Sequence, residues 1–216
     1  MKGKCCIIIA GGTLGDPAYH KKILAAGDYV ICADGGARYA EKLGVRPDLL
    51  VGDFDTLSSA ELRSWRQKGV KILQFSKVKD YTDTQLALRK ALEMGFSKIR
   101  VIAALGGRLD HTWVNVMLLA LPEVQDADVR ILDENQEILA LTGSVRLEGE
   151  IGEVISLIPL TQQVRGIQTT GLQYQVPQGI LSLGMSMGIS NVFAAPVAEI
   201  KLEEGRLLVI RNLKHG

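Results

Sequence analysis

The sequence predicts two domains, a mainly parallel α/β/α domain over residues 1–134 and a β-sandwich over residues 135–216. In the first segment, short β-rich apolar runs alternate with stretches whose apolar residues recur three or four positions apart. This alternation is typical of a parallel sheet that is covered by helices on both faces. In the second segment, glycines separate short strand candidates at roughly the 8–12-residue spacing of a small sandwich or barrel.

The elements of the first domain follow from these patterns in chain order. Six apolar runs end at turn residues and fit strands, and four segments between them fit amphipathic helices. The predicted strands are 5–10, 29–33, 49–51, 70–75, 99–104 and 129–132, and the predicted helices are 37–43, 58–68, 82–94 and 109–121. We therefore expect a Rossmann-like sheet, with ligands at the carboxyl ends of its strands.

The second domain contains strand candidates alone. They are 138–141, 145–147, 154–158, 164–169, 180–183, 190–193, 198–202 and 207–210.

Composition narrows the class of protein. The 25 Lys and Arg residues balance 24 Asp and Glu residues, so there is no basic surplus and no nucleic-acid partner is expected. No apolar run reaches the roughly 18–20 residues of a membrane span, and no signal peptide is recognisable. Cys5, Cys6 and Cys32 lack zinc-site spacing and are expected to be buried in a reducing compartment, so we predict a cytoplasmic protein without membrane contact.

Carboxylates follow the predicted strand 49–51. On an extended backbone, Asp53 and Asp55 would point to the same side, with Phe54 turned to the other. Two like charges at this spacing favour a cation between them, and Mg²⁺ prefers carboxylate oxygens. The alternative is a turn in which the Asp side chains accept hydrogen bonds from backbone amides.

A second acidic element precedes the predicted helix 82–94. Thr82 and Gln85 fit a capping box, and Asp83 suits the positive end of the helix. Capping does not explain why Asp80 and Asp83 join Asp34, Asp53 and Asp55 at the carboxyl edge of the sheet. Taken together, the five acids predict a divalent-metal site.

A glycine-rich loop joins the predicted strand 99–104 to the helix that follows. Gly106 and Gly107 would let the backbone approach a ligand, and Arg108 carries a planar cation suited to phosphate oxygens. The alternative is a tight turn with a solvated arginine. His111 could contact a nucleotide or pack internally, and we assign it no catalytic role.

Several signatures are absent from the sequence. There is no P-loop, no nucleophile elbow and no kinase motif, and the glycines at 11–15 break the dinucleotide spacing. The residues therefore favour a Mg²⁺-dependent enzyme that acts on a phosphorylated, nucleotide substrate.

At this point the motifs resemble an ordered family signature. Four segments of the first domain are similar to the motifs of thiamine pyrophosphokinases: CADGGA at 32–37, GDFD at 52–55, DYTD at 80–83 and GGRLDH at 106–111. Two segments of the second domain resemble that family's later motifs: GLQY at 171–174 and GISN at 188–191. Thr56 and Gln85 depart from the Ser and Glu that are common there, but neither is a presumed metal ligand.

The resemblance implies transfer of the β,γ-pyrophosphoryl group of ATP to the hydroxyl of thiamine, with release of AMP. It also implies Mg²⁺ and a homodimer with active sites at the subunit interface. The first domain would bind nucleotide and metal, and the second would contribute to thiamine binding and dimerisation.

The resemblance also implies roles for single residues. Asp53, Asp55, Asp83 and Asp80 would form the metal site, with Asp34 and Asp80 supporting the metal or its waters. The ATP site would comprise Asp34, Gly35, Gly106, Gly107, Arg108, Asp110 and His111, and the catalytic set Asp55, Asp83 and Arg108. Tyr174 would stack on the thiamine pyrimidine, with Ser190 and Asn191 bonding its polar edge.

Two other classes stay open on the residues alone. A nucleotidyltransferase would share the acidic cluster but would release pyrophosphate. A non-catalytic nucleotide sensor would share the loop at 106–111 but has no need for five carboxylates.

Overall fold

The computed structural model describes residues 3–78 and 80–213. The chain divides into two compact units, residues 1–134 and 135–216. The first unit is α/β and the second is β-rich, which confirms the predicted fold class. Within the described residues, no helix is long and apolar enough to cross a bilayer.

The first unit alternates strands and helices. In chain order they are β1 (Cys5–Ile9), α1 (Pro17–Ala25), β2 (Tyr29–Ala33), α2 (Gly36–Leu43), β3 (Leu49–Gly52), α3 (Ser59–Gln67), β4 (Lys71–Gln74), α4 (Asp83–Glu93), β5 (Lys98–Ile102), α5 (Leu109–Met117) and β6 (Asp128–Leu132). Its strands are parallel and lie in the order β4-β3-β2-β1-β5-β6.

This strand order places the switch point between β1 and β5. From β1 the chain winds outward through β2, β3 and β4, and then returns to the other side of β1 as β5. Ile9 lies opposite Cys32 of β2 and Ile102 of β5, so these three strands end at one level. Ligands bind at such a point because the loops diverge there and leave a crevice.

Both faces of this sheet are covered. Ile7 and Ile9 pack in one buried cluster with residues of α1, α2 and α3. Their neighbours in β1 point to the opposite face and are also buried. Helix α4 packs on β1, β2 and β3, and it closes that second face.

The second unit is built from antiparallel strands. They are β7 (Gln136–Leu141), β8 (Ser144–Glu148), β9 (Val154–Pro159), β10 (Gln163–Val164), β11 (Gln168–Thr170), β12 (Leu181–Ser182), β13 (Asn191–Val192), β14 (Val197–Lys201) and β15 (Leu207–Asn212). One sheet has the order β13-β9-β15-β7, another β11-β14-β8, and β10 pairs with β12. Residues of both larger sheets share one core, as expected for a sandwich.

The largest differences between the structure and the predicted elements are at three places. Helix α1 was not predicted, because its only buried side chains are His20 and Leu24 and its apolar periodicity is weak. The helix predicted over 109–121 ends at Met117 and continues as a short 3₁₀ turn. The strand predicted over 164–169 is divided between β10 and β11 because Gly166 has a φ of 68°.

The three cysteines lie in β1 and β2. Cys5, Cys6 and Cys32 are buried and unpaired, as the sequence predicted. Burial raises the pKa of Cys6 to about 12 and that of Cys32 further, so both are unreactive thiols.

Candidate active site

Three carboxylates converge at the carboxyl ends of β2 and β3. One ligand oxygen from each of Asp34, Asp53 and Asp55 lies within 4.8 Å of the others. Asp34 is buried, Asp53 is half-buried and Asp55 is exposed, so the cluster opens to solvent on one side. Like charges this close repel one another, and a divalent cation bound between them relieves the repulsion.

The turn after β3 positions two of these acids. Phe54 has a left-handed φ of 59°, and its side chain is buried with 5% exposure. The predicted extended backbone is therefore wrong, and a turn brings Asp53 and Asp55 to the same side. The amide of Asp55 donates to Oδ1 of Asp53 at 3.2 Å, so the predicted alternative of an Asx-type turn is also present.

Asp34 follows β2 and fits a cation ligand. Its Oδ2 accepts a hydrogen bond from the Thr56 hydroxyl at 2.7 Å, whereas its buried Oδ1 has no hydrogen-bond partner among the described residues. A buried oxygen without a donor is costly, and a bound cation would satisfy it. Burial raises the pKa of Asp34 against the effect of the Thr56 hydrogen bond, and Asp83 and Asp55 raise it further.

Asp83 lies beside this cluster at the start of α4. A Cβ atom added to Gly52 would lie 3.1 Å from Cβ of Asp34 and 3.2 Å from Oδ1 of Asp83. The missing side chain at Gly52 thus lets both acids approach the end of β3. The N-cap Thr82 accepts from the Gln85 amide at 3.2 Å, which is one of the two hydrogen bonds of the predicted capping box.

The three-acid cluster differs from the predicted metal set. It includes Asp34, for which the resemblance implied a supporting role, and it leaves out Asp83 and Asp80. Asp80 is exposed. The predicted metal roles of Asp80 and Asp83 stay predictions.

The glycine loop between β5 and α5 forms the opposite side of the site. Gly106 and Gly107 have φ values of 78° and 70°, which favour glycine. A Cβ on Gly106 would lie 2.4 Å from Oγ1 of Thr13. Asn115 is buried and donates to the Ala104 carbonyl at 2.8 Å, which fixes the start of this loop.

The loop after β1 docks on the glycine loop. The amides of Gly12 and Thr13 donate to the carbonyls of Ala103 and Leu105, both at 2.7 Å. The Tyr39 hydroxyl donates to the Gly12 carbonyl at 2.5 Å. Since Gly12 and Thr13 use their amides internally, the N-terminus of α5 is the better source of free amides for an anion.

Arg108 is already paired in this structure. Its Nε and Nη2 donate to the two carboxylate oxygens of Asp110 at 3.1 and 2.5 Å. This contact raises the pKa of Arg108 and lowers that of Asp110. The amide of His111 also donates to Asp110, at 3.0 Å. Arg108 is exposed, so an incoming phosphate can compete with Asp110 for its guanidinium group.

A cleft of about 460 Å³ joins these loops. Of the predicted residues, it is lined by Asp34, Gly35, Asp83, Gly106, Gly107, Arg108 and His111. It is also lined by nine residues to which the sequence analysis assigned no role in the site: Gly11, Gly12, Thr13, Ala33, Thr56, Thr82, Thr84, Ala104 and Asn115. Thr56, Thr82 and Thr84 could have been suspected, because they lie within or next to the motifs quoted above. The contribution of the β1 loop required the tertiary structure.

The second unit contains the residues assigned to thiamine. Tyr174 is 56% exposed and lines a cavity of about 250 Å³ together with Ile189 and Asn191. Ser190 has a φ of 57°, and its amide donates to Oγ of Ser156 at 3.1 Å.

Asn191 is used within its own unit. Its Oδ1 accepts from the amides of Tyr174 and Val192 at 3.0 and 2.8 Å, and its Nδ2 donates to the Tyr174 carbonyl at 2.7 Å. The carboxamide therefore holds the backbone of Tyr174. A direct contact between Asn191 and a ligand stays a prediction.

Comparison with known proteins places the chain among enzymes of one kind. The protein-family model for the thiamin pyrophosphokinase catalytic domain matches residues 20–131, more than half of the chain. The family model for the thiamin pyrophosphokinase vitamin B1 binding domain matches residues 144–207. The thiamine pyrophosphokinase of Bacillus subtilis (strain 168) is 29% identical over 171 residues, which cover 78% of this chain and 80% of that protein.

Solved structures agree with the family models. The crystal structure of thiamine pyrophosphokinase from Bacillus subtilis superposes with a TM-score of 0.85 at 26% identity, over 98% of this chain and 100% of that chain. The thiamin pyrophosphokinase from Geobacillus thermodenitrificans gives a TM-score of 0.83 at 27% identity, over 98% and 99% of the two chains. The resemblance seen in the sequence motifs is confirmed, and the chain belongs to the thiamin pyrophosphokinase family.

Proposed function

We propose that this protein transfers the pyrophosphoryl group of ATP to the hydroxyl of thiamine, giving thiamine diphosphate and AMP, with Mg²⁺ as its divalent cation. The predicted enzyme class is confirmed by family membership. The observation that carries the chemistry is the convergence of Asp34, Asp53 and Asp55, because Asp34 also lines the cleft that the glycine loop borders.

The acidic cluster would hold the cation. Asp34, Asp53 and Asp55 provide oxygen ligands of the kind that Mg²⁺ prefers, and Asp83 lies near enough to assist. When bound, Mg²⁺ neutralises charge on the phosphate oxygens and lowers the cost of the developing alkoxide. Thr56 keeps one oxygen of Asp34 in place and leaves the other available as a ligand.

The glycine loop and Arg108 would bind the triphosphate. Gly106 and Gly107 bring the backbone close to the cleft, and the start of α5 offers amides and a positive helix end. Arg108 would exchange its bond with Asp110 for phosphate oxygens.

Transfer requires one new bond and one broken bond. The thiamine oxygen forms a bond to the β-phosphorus, the bond from this phosphorus to the bridging oxygen of the α-phosphate breaks, and AMP leaves with that oxygen. The hydroxyl proton is lost to an acceptor in the site. The protein mainly orients the two substrates and compensates charge.

Thiamine binding is assigned to the second unit. Tyr174 presents an exposed ring that suits stacking on the pyrimidine, and Asn191 fixes the backbone behind that ring. Ser190 would contribute a polar contact. We further propose a homodimer with active sites at the subunit interface, and a cytoplasmic location.

One reaction tests the activity. The protein is incubated with ATP, Mg²⁺ and thiamine, and the products are separated by chromatography and identified by phosphorus NMR. We expect AMP and thiamine diphosphate. ADP with thiamine monophosphate would indicate an ordinary kinase, free pyrophosphate a nucleotidyltransferase, and absence of turnover a nucleotide sensor.

A further inference from the structure

An arginine outside the cleft lining contacts the segment that carries Asp53 and Asp55. Arg38 lies on α2, and its side chain is 52% exposed. Its Nη2 donates to the carbonyl of Thr56, and its Nε donates to Oε1 of Glu61 at 3.0 Å. One guanidinium group thus joins α2 to the acidic turn and to the first turn of α3.

Glu61 is itself held in a fixed position. Its Oε2 accepts from the Ser58 amide at 2.7 Å, and its own amide donates to Oγ of Ser58 at 3.2 Å, which completes a capping box at the start of α3. Glu61 therefore presents a pre-oriented carboxylate to Arg38.

Thr56 transmits this arrangement to the acidic cluster. While its carbonyl accepts from Arg38, its hydroxyl donates to Oδ2 of Asp34 at 2.7 Å. Phe54, two residues before Thr56, and Leu57, directly after it, are both buried in the core. The turn is thus fixed by apolar contacts on one side and by Arg38 on its exposed side.

We propose that the Arg38–Glu61 pair positions the Asp53–Thr56 turn, and through Thr56 also Asp34, for binding the divalent cation. This inference rests on the proposed function, because it assumes that these carboxylates hold the cation. Arg38 and Glu61 are positioning residues, since they act through Thr56. Arg38 also offsets part of the negative charge, because its guanidinium group interacts electrostatically with Asp34.

A purely structural role makes a different prediction. If Arg38 and Glu61 only linked α2 to α3, their loss would remove an exposed ion pair, which contributes little to stability. The affinity for the cation would then be unchanged. Partners that orient metal ligands, in contrast, commonly affect metal affinity by roughly 10–100-fold when they are removed.

The test measures cation binding directly. Mn²⁺ serves as a spin-active probe, and the electron paramagnetic resonance signal of free Mn²⁺ is followed during titration, with and without α,β-methylene-ATP. The variant is Arg38→Met, which keeps a good helix former and the apolar stem of the side chain.

Arg46→Met is the matched control. Arg46 is an exposed arginine in the same unit, and its Nη1 donates to the Lys68 carbonyl at 3.1 Å, at the other end of α3. Thermal unfolding of each variant reports any general loss of stability. Asp55→Asn, which removes a presumed ligand, serves as the reference for a lost cation site.

We expect Arg38→Met to weaken Mn²⁺ binding by roughly tenfold, with Arg46→Met binding as the wild type does. If Asp55→Asn loses Mn²⁺ but Arg38→Met retains wild-type affinity, or if Arg46→Met loses as much as Arg38→Met, the positioning role is refuted. If Asp55→Asn also binds normally, the assigned cation site itself is wrong.

Discussion

Replacing Asp34 by Asn should stabilise the cation-free protein and at the same time abolish its cation binding. The substitution removes one of three converging charges and keeps the shape of the side chain. Asn tolerates the φ of 38° at this position, because its short polar side chain is among the few that accept left-handed backbone. Its carboxamide oxygen can still accept from the Thr56 hydroxyl.

The size of the effect follows from the spacing of the acids. At 4.8 Å, the upper bound of the separations within the cluster, two unit charges repel by about 0.9 kcal/mol in water and about 3.5 kcal/mol at an effective dielectric constant of about 20. Asp34→Asn removes two such repulsions, and the exposure of Asp55 favours the lower value. We therefore expect the free energy of unfolding without cation to rise by about 1–2 kcal/mol.

The pKa of Asp34 also indicates that Asp34→Asn should raise, and not lower, the free energy of unfolding. The pKa of Asp34 is raised in the folded protein, chiefly by burial, so folding favours its protonated form. The ionised side chain costs stability once the pH rises through this raised pKa, and that cost is absent below the ordinary value of 3.8. The advantage of Asn over Asp should accordingly be present at neutral pH and vanish in acid.

Thermal unfolding in EDTA and in Mg²⁺ measures both effects. In EDTA, the Asp34→Asn variant should unfold about 3–6 °C above the wild type. Mg²⁺ should raise the Tm of the wild type by mass action and leave that of the variant unchanged. A lower Tm of the variant in EDTA, or an equal response of both proteins to Mg²⁺, would refute the reasoning.

Three further predictions concern other contacts. Arg38 and Ser58 lower the pKa of Glu61 to about 2 from its ordinary 4.5. Because the pair is exposed, Glu61→Gln should reduce the Tm at neutral pH only slightly, and the Tm values of the two proteins should converge as the pH falls from 4.5 towards 2. A difference that does not depend on pH would contradict the ion pair. Asn191→Ala removes the hydrogen bonds that hold Tyr174, so urea unfolding should show a loss of about 1–3 kcal/mol. In calorimetric titrations the Kd for thiamine should rise more than that for α,β-methylene-ATP, and equal changes in both constants would argue against a local role. If the active sites are shared in a homodimer, two variants that are each inactive alone, Asp55→Ala and Asn191→Ala, should complement each other when they are co-expressed. Roughly a quarter of wild-type activity should return, because half of the randomly paired dimers are heterodimers and each heterodimer carries one intact site out of two. No recovery in verified heterodimers would show that each site is built within one chain.

Much of the fold was predictable because its signals are local. The strands of the first unit are continuous apolar runs, and β2 was predicted with its observed bounds. Helix α1 was missed although Asp16 and Pro17 are good start signals, because its buried face is limited to two side chains. The short strands β12 and β13 were placed correctly but predicted too long, since pairing partners rather than composition set their ends.

The sequence by itself placed Asp34 and Asp53 at the carboxyl edge of the sheet. Asp34 and Asp53 each follow a buried strand closely, and parallel strands end at a common edge. The glycine loop before α5 was identifiable for the same reason. These features depend on chain order and periodicity, which a single sequence contains.

The tertiary structure alone decided which of those acids meet. Asp34 joins Asp53 and Asp55 because Phe54 adopts a left-handed turn over the core, and this turn depends on packing that periodicity does not record. Arg38 and Thr56, which form a hydrogen bond, are 18 residues apart in the sequence. Asn191 and Tyr174, which are also joined by hydrogen bonds, are 17 residues apart. Such contacts depend on how separate elements pack in three dimensions, so they follow from the folded chain and not from local sequence.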